Sequence, residues 1–131
     1  LTLNALAAAD GILVPMQCEY FALEGLSALV NTIDALKEKL NPNLEILGVV
    51  RTMFDVRNNL AIAVSSELTR HFGDKVFRSI IPRNVRLAEA PSHGQSIVSY
   101  DKTSRGGVAY MGLAGEIIRR EKKKASEEVR K

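Results

Sequence analysis

The residues with the most chemical character fall into three irregular stretches, Pro15 to Tyr20, Thr52 to Asn58 and Pro82 to Pro91. Each follows a short apolar run of the kind that forms a buried strand. Ligands of parallel α/β sheets gather at the carboxyl ends of strands, so this placement predicts a binding site along one sheet edge. The sequence has no G-x-x-x-x-G-K-[ST] loop and no G-x-G-x-x-G turn after a strand. It therefore offers no loop of its own to cradle β- and γ-phosphates. Gly106-Gly107 opens a helix and can either approach a phosphate or let a helix start pack tightly. His71, His93 and Cys18 lack ligand spacing, so no metal site is expected. His71 falls in the last turn of a helix, where it complements the helix dipole. Cys18 would need a neighbouring base and a lowered pKa to act as a nucleophile, and otherwise reads as a packed thiol. Glu19 and Glu24 would act as a carboxylate pair only within a pocket, and otherwise read as solvated or capping. No catalytic residue is expected.

The elements that must position these stretches alternate. Leu1 to Ala9 is rich in Leu and Ala and reads as the end of a helix closing at Asp10-Gly11. Ile12-Leu13-Val14 is a short strand stopped by Pro15. A long amphipathic helix follows from about Ala22 to Leu40, its face marked by Leu23, Leu26, Val30, Ile33 and Leu40, with Asn41-Pro42 as the stop. Glu45 to Arg51 reads as a second strand. The next helix spans about Asn59 to Phe72, with Leu60, Val64, Leu68 and Phe72 at four-residue steps. Asn58 or Asn59 caps its start and Gly73 its end. Val76 to Ile81 is a third strand, ended by Pro82. Pro82 to Ser104 has no clean period and reads as a long functional loop with one short strand at Ile97-Val98. A final helix starts near Gly106 and shows Val108, Met111, Ala114 and Ile118 on one face. Strand and helix in this rhythm predict an α/β fold, a partial parallel sheet with flanking helices and right-handed crossovers.

The chain has 131 residues, 46% of them apolar and 25% charged, within the range of a folded globular domain. Its four Phe, three Tyr and absence of Trp require an aliphatic core. The net charge of +3 is unevenly spread, because Arg119 to Lys131 holds seven basic and three acidic residues and the remainder is net negative. Such a tail either solvates a helix end or meets an anionic partner. The expected division is therefore a body, residues 1–118, and a basic tail, 119–131, helical or disordered. A single cysteine excludes an internal disulfide and fits a reducing, cytoplasmic setting. No stretch is long and apolar enough to span a membrane. Leu1 is not an initiator Met and no secretion signal follows it, so the chain reads as a fragment.

Four phrases, in order, carry a resemblance: LTLNALAAADGILVPMQCEYFALEGL from Leu1, GVVRTMFDVRNNL from Gly48, HFGDKVFRSIIPRNVRLAEAPSHGQSI from His71, and YDKTSRGGVAYMGLAGEI from Tyr100. Together they cover nearly everything before the tail, and the chain resembles the carboxy-terminal part of the ParA/Soj family of deviant Walker ATPases, relatives of MinD. The resemblance implies the C-terminal half of a P-loop NTPase fold, with the phosphate loop, its lysine and the Asp-x-Pro-Pro segment all before Leu1. It implies ATP and Mg2+ as cofactors of the intact family protein and none for this chain alone, which should neither bind ATP tightly nor hydrolyse it. By the same resemblance, adenine lies near Thr52 and Met53 and near Pro82, Arg83 and Asn84. Main-chain groups beyond a strand-ending proline are free of the ladder and can meet a base edge.

The resemblance further implies ATP-dependent dimerisation, a ParB-type partner, non-specific DNA binding in chromosome or plasmid partitioning, and nucleoid association. Gln17 to Gly25 and Asp55 to Asn58 would face the dimer partner. Arg83, Arg86, Lys102, Arg105, Arg119 and Arg120 are the DNA candidates, through salt-sensitive phosphate contacts. In the family the Ile12 strand pairs with the phosphate-loop strand, so an uncovered edge here predicts self-association. The competing expectation is a stand-alone interaction module that modulates dimerisation or DNA binding of full-length relatives.

Overall fold

A computed structural model describes residues 2–18 and 22–130. Three parallel strands, β1 (Gly11–Gln17), β2 (Glu45–Phe54) and β3 (Val76–Pro82), form a sheet in that order. Helices alternate with them: α1 (Thr2–Ala8), α2 (Ala22–Lys39) and α3 (Asn59–Phe72) before β3, then α4 (Val85–Glu89), α5 (Ile97–Asp101) and α6 (Arg105–Arg130) after it. The α/β class and parallel sheet expected from the alternation are present.

Helices pack against the sheet in three buried groups. Leu6, Ile33, Leu36 and Leu44 form one buried group under α1 and α2, and Ala61, Val64, Leu68, Cys18 and Val76 form another under α3. Val50, Phe77, Ile81 and Leu113 form a third group, where α6 packs against β3. Asn41, expected only as a helix stop, also ties α1 down. Its side-chain amide donates to the carbonyls of Leu6, Ala7 and Ala9, groups that a helix end otherwise leaves unsatisfied.

Asn58 caps α3, its Oδ1 accepting from Leu60 N at 2.9 Å, and Gly73 ends the helix at φ 51°. Four-residue steps overshoot the helical period by about 40° each, so a stripe from Leu60 to Phe72 winds off the core. Val64 and Leu68 are buried, whereas Leu60 is exposed. Leu40 lies just past the end of α2 and is exposed, while Leu36, one turn earlier in the helix, is buried.

Three expectations are corrected. β1 does not stop at Pro15 but runs through it to Gln17. β1 lies at an edge of the sheet, where a residue without an N–H is tolerated. The segment from Pro82 to Ser104 is not one loop, because α4 and α5 occupy it and Ile97-Val98 starts a helix rather than forming a strand. Asn84 and Ser96 cap these short helices, accepting from Arg86 N and Ser99 N. The face of α6 is also reversed. Val108, Met111, Ala114 and Ile118 are exposed, and Gly106, Gly107, Leu113 and Glu116 are buried. The basic segment after Arg119 continues α6 as helix to Arg130.

Candidate functional site

The carboxyl ends of β2 and β3 do not meet by simple register. Val49 pairs with Val76 and Arg51 with Ile80, so β3 carries two more residues than β2 over that interval. Phe54 then pairs with Pro82, and β2 carries the extra residue. That second irregularity includes Met53 at φ 53°, the one non-glycine positive φ among the described residues. A side chain in this region costs roughly 1–2 kcal/mol, and such strain tends to collect at sites. The amide of Arg83 donates to Phe54 O at 3.2 Å and closes the junction. That amide is therefore not free to meet a base edge, contrary to the expectation for groups beyond Pro82.

Next to this junction lies a cavity of about 1370 Å³. Met53, Phe54, Ile80 and Pro82 line it from the sheet, Asn84 and Leu87 from the start of α4, and Val108 and Ala109 from α6. Asp55, Arg57, Arg83 and Arg105 add charge to its wall. Four of the five residues assigned to the adenine side, Met53, Pro82, Arg83 and Asn84, are thus brought together. Thr52 is not among the lining residues: β2 extends to Phe54, and Thr52 pairs instead with Gln17 of β1 and accepts from Cys18 N at 3.3 Å.

The glycine pair at the start of α6 resolves toward packing. A Cβ on Gly106 would stand 2.4 Å from Leu87 Cγ, and one on Gly107 would stand 2.6 Å from Asp101 O. Close approach of α6 to α4 and α5 forms one wall of the cavity. At the opposite wall, Arg57 donates through its main-chain and side-chain N–H groups to Asp55 Oδ1. These hydrogen bonds hold the Asp55 carboxyl below its usual pKa. Asn58 is committed to capping α3, so the Asp55 to Asn58 turn has a structural role of its own. Of the other stretch assigned to a dimer face, Glu19, Tyr20 and Phe21 lie outside the described residues.

The basic candidates separate into two groups. Arg83, Lys102, Arg105 and Arg119 are exposed. Arg86 is exposed too, but is held by Glu89 at 3.1 Å and Asp101 at 3.6 Å. Arg120 lies with its guanidinium carbon 4.2 Å from the Phe77 ring centroid, bonded to Val76 O and Glu116. Arg120 is therefore an anchor of α6 on the sheet. Lys124, further along α6, contacts Glu45 at the start of β2.

Glu116 is the residue that sequence reasoning passed over. Burial pushes its carboxyl up, but main-chain donors Arg78 N and Ser79 N and the nearby Arg120 outweigh this, leaving it below the ordinary value. The available signal was a carboxylate three residues after Leu113 on a helix whose buried stripe it shares. Cys18 is buried, and desolvation raises its thiol pKa against a smaller opposing effect of Arg51, which is the signature of a packed thiol rather than a nucleophile.

The cavity combines an apolar sheet-end wall with a carboxamide and charged side chains in a concave setting, the general makeup of a small-molecule site. The phosphate end is different. No phosphate loop occurs in the sequence, and no cluster of three His, Cys, Asp or Glu side chains suited to a metal occurs among the described residues. Among the same residues, no helix is long and apolar enough to cross a membrane.

Comparison with known proteins gives a consistent result. A family model described as an AAA domain matches residues 1–46. The chromosome partitioning protein ParA of Caulobacter vibrioides is 53% identical over 93% of this chain and 46% of its own length. The sporulation initiation inhibitor protein Soj of Bacillus subtilis is 54% identical over 89% and 46%. The chromosome-partitioning ATPase Soj of Thermus thermophilus is 53% identical over 92% and 48%. The chain spans about half the length of the curated relatives it matches. Among solved structures, cobyrinic acid a,c-diamide synthase from Mycobacterium smegmatis with bound ADP and magnesium superposes with a TM-score of 0.70 at 29% identity. The same enzyme with an ATP analog and magnesium gives 0.73 at 29% identity, over 92% of this chain and 43% of that one.

Proposed function

We propose that this chain, which belongs to the ParA/Soj family of chromosome-partitioning proteins, supplies the nucleoside side of an adenine-nucleotide site in a DNA-partitioning ATPase. The observation that carries this reading is that one cavity joins Met53, Pro82, Arg83 and Asn84 at the carboxyl ends of β2 and β3. The base would lie against Met53 and Pro82. The Asn84 Oδ1 is engaged by Arg86 N, leaving its amide N–H groups as donors toward a ring nitrogen. Phosphate and Mg2+ chemistry, and with it ATP hydrolysis, would come from residues outside this sequence.

Partitioning further calls for DNA contact and pairing. Arg83, Lys102, Arg105 and Arg119 are the basic residues we assign to non-specific phosphate contact. The Gln17 to Gly25 and Asp55 to Asn58 stretches are assigned to a nucleotide-side dimer surface. The edge of β1 is a further place for self-association, and a ParB-type partner follows from the family reading. Nucleoid association follows from the DNA reading.

Titration of isotopically labelled chain with adenosine, followed by amide NMR shifts, tests the nucleoside site. Weak saturable shifts at Met53, Arg83 and Asn84, larger than those produced by guanosine, are expected. Shifts confined to other elements would refute the assignment. A second reading, a stand-alone module that modulates full-length relatives, is favoured by one observation: Val108, Met111 and Ile118 are exposed along α6. If the chain, added to a full-length relative, leaves its dimerisation and DNA binding unchanged, that reading fails.

A further inference from the structure

The irregular stretch of β3 is satisfied by side chains instead of by a neighbouring strand. Six main-chain groups are involved. Glu116 accepts from Arg78 N at 2.8 Å and Ser79 N at 2.9 Å. Arg120 donates to Lys75 O at 3.4 Å and Val76 O at 3.1 Å, and Arg51 donates to Phe77 O at 2.8 Å and Arg78 O at 3.4 Å. Arg120 also meets Glu116 at 3.2 Å, and Arg51 is braced by Ser65 Oγ at 3.0 Å. The two arginines and the carboxylate therefore hold the interval between Val76 and Ile80 in which β3 gains two residues on β2.

That interval has a consequence for the site. Each residue of slip in a strand turns its side chains to the other face and moves its end by about 3.3 Å. Pro82, Arg83 and Asn84 begin two residues after Ile80, so their placement opposite Met53 depends on how many residues the bulge holds. The observed junction is the Arg83 N to Phe54 O bond.

We propose that Glu116, with Arg120 and Arg51, is a positioning residue that fixes the bulge of β3 and thereby sets the Pro82–Asn84 wall of the cavity. The part of this that concerns nucleoside rests on the reading given under Proposed function, while the part that concerns register does not. No member of the trio lines the cavity, so any effect on the site must pass through β3. A carboxylate is required because it accepts from both N–H groups. A carboxamide has one accepting oxygen, and its NH2 group would face the second donor.

The test is hydrogen exchange on Glu116→Gln in the full chain, reading the Arg83 amide against the Cys18 amide. Cys18 N bonds Thr52 O on the opposite side of β2 and reports the same end of β2 independently of β3. The ratio of Arg83 to Cys18 protection is expected to fall at least about tenfold, as a defined junction opens below the global unfolding limit. Arg120→Lys, which keeps the charge and loses the forked geometry, serves as the second variant and should shift the ratio the same way. Glu116→Asp, a shorter carboxylate, should recover part of it. An unchanged ratio in both folded variants, with the two amides losing protection together, would overturn the proposal by giving Glu116 a merely structural role. Adenosine shifts are read in the same samples. If the ratio falls while wild-type chain shows no adenosine response, positioning stands and the nucleoside reading fails. If wild type responds to adenosine and the variants keep both the response and the ratio, positioning fails and the nucleoside reading stands.

Discussion

Two glycines of α6 five residues apart should respond to the same substitution with opposite signs. At Gly107, an added Cβ would stand 2.6 Å from Asp101 O and 2.8 Å from Lys102 O, where ordinary contact begins near 3.4 Å. Both obstacles are main chain, and they cannot swing aside as a side-chain tip would. Ser104 fixes them further, its Oγ donating to Asp101 O at 2.7 Å and accepting from Gly107 N at 3.0 Å. Overpacking of this kind costs about 1–3 kcal/mol. The gain from replacing helical Gly by Ala, up to about 1 kcal/mol, is smaller in a first turn. Gly107→Ala should therefore destabilise by about 1–2 kcal/mol. At Gly112 the nearest atom would be Ser79 Oγ at 3.6 Å, so only the propensity gain remains and Gly112→Ala should stabilise by about 0.5–1 kcal/mol. Urea denaturation at constant m-value measures both. If Gly107→Ala equals or exceeds wild-type stability, the close docking of α6 on α5 that shapes the cavity wall is wrong.

Three further outcomes follow from the same contacts. The Glu116 carboxyl is depressed in the folded chain, so its stabilisation is complete above its unfolded value near 4.5 and is lost as pH falls through the folded value; wild-type stability should therefore fall more steeply below pH 4.5 than that of Glu116→Gln, and parallel acid profiles would refute this. Cys18, buried with a raised pKa, should react with iodoacetamide at pH 8 far more slowly than a free thiol until urea unfolds the chain, and a rate independent of urea would contradict the packed-thiol assignment. For DNA, replacing Arg83 and Arg105 together by Ala should reduce the slope of log affinity against log salt by about two, while Arg86→Ala should leave it nearly unchanged. Equal slope losses at all three arginines would undo the separation of the ion-paired Arg86 from the other exposed cations.

The elements most readable in the sequence were those whose pattern is local. Asn58 before Leu60 and Gly73 after Phe72 bracket α3 through their own hydrogen bonds and dihedral angles, which neighbouring residues do not alter. The three strands were legible from β-branched runs, but the carboxyl ends of β1 and β2 were not. Thr52 to Phe54 belong to β2 because Cys18 N and Arg83 N pair with carbonyls at that end, contacts that no window along the chain contains. The short helices α4 and α5 were missed because five residues make little more than one turn, too few for a period to register. Their capping residues, Asn84 and Ser96, were nevertheless present in the sequence.

The candidate site divides along the same line. Met53, Pro82, Arg83 and Asn84 enter the candidate site through the resemblance, in stretches that follow apolar runs, and one cavity brings them together. Glu116 could not be found in the sequence, because amphipathic reading assigns carboxylates to water and apolar residues to the core. On α6 that rule selects Val108, Met111 and Ile118 as the buried face, and the helix is turned the other way. The reason lies in β3, where a bulge leaves consecutive N–H groups at Arg78 and Ser79 without a strand to receive them. Leaving such groups buried and unpaired costs about 1–3 kcal/mol each. A carboxylate that accepts from both offsets its own desolvation and can outweigh the burial of an additional apolar side chain. Backbone demand on the strand it covers thus acts together with the packing of Leu113, Ala109 and Ile117 against β2 and β3 in orienting α6. Because that demand exists only after β2 and β3 have paired out of step, the residue answering it becomes visible only in the assembled sheet.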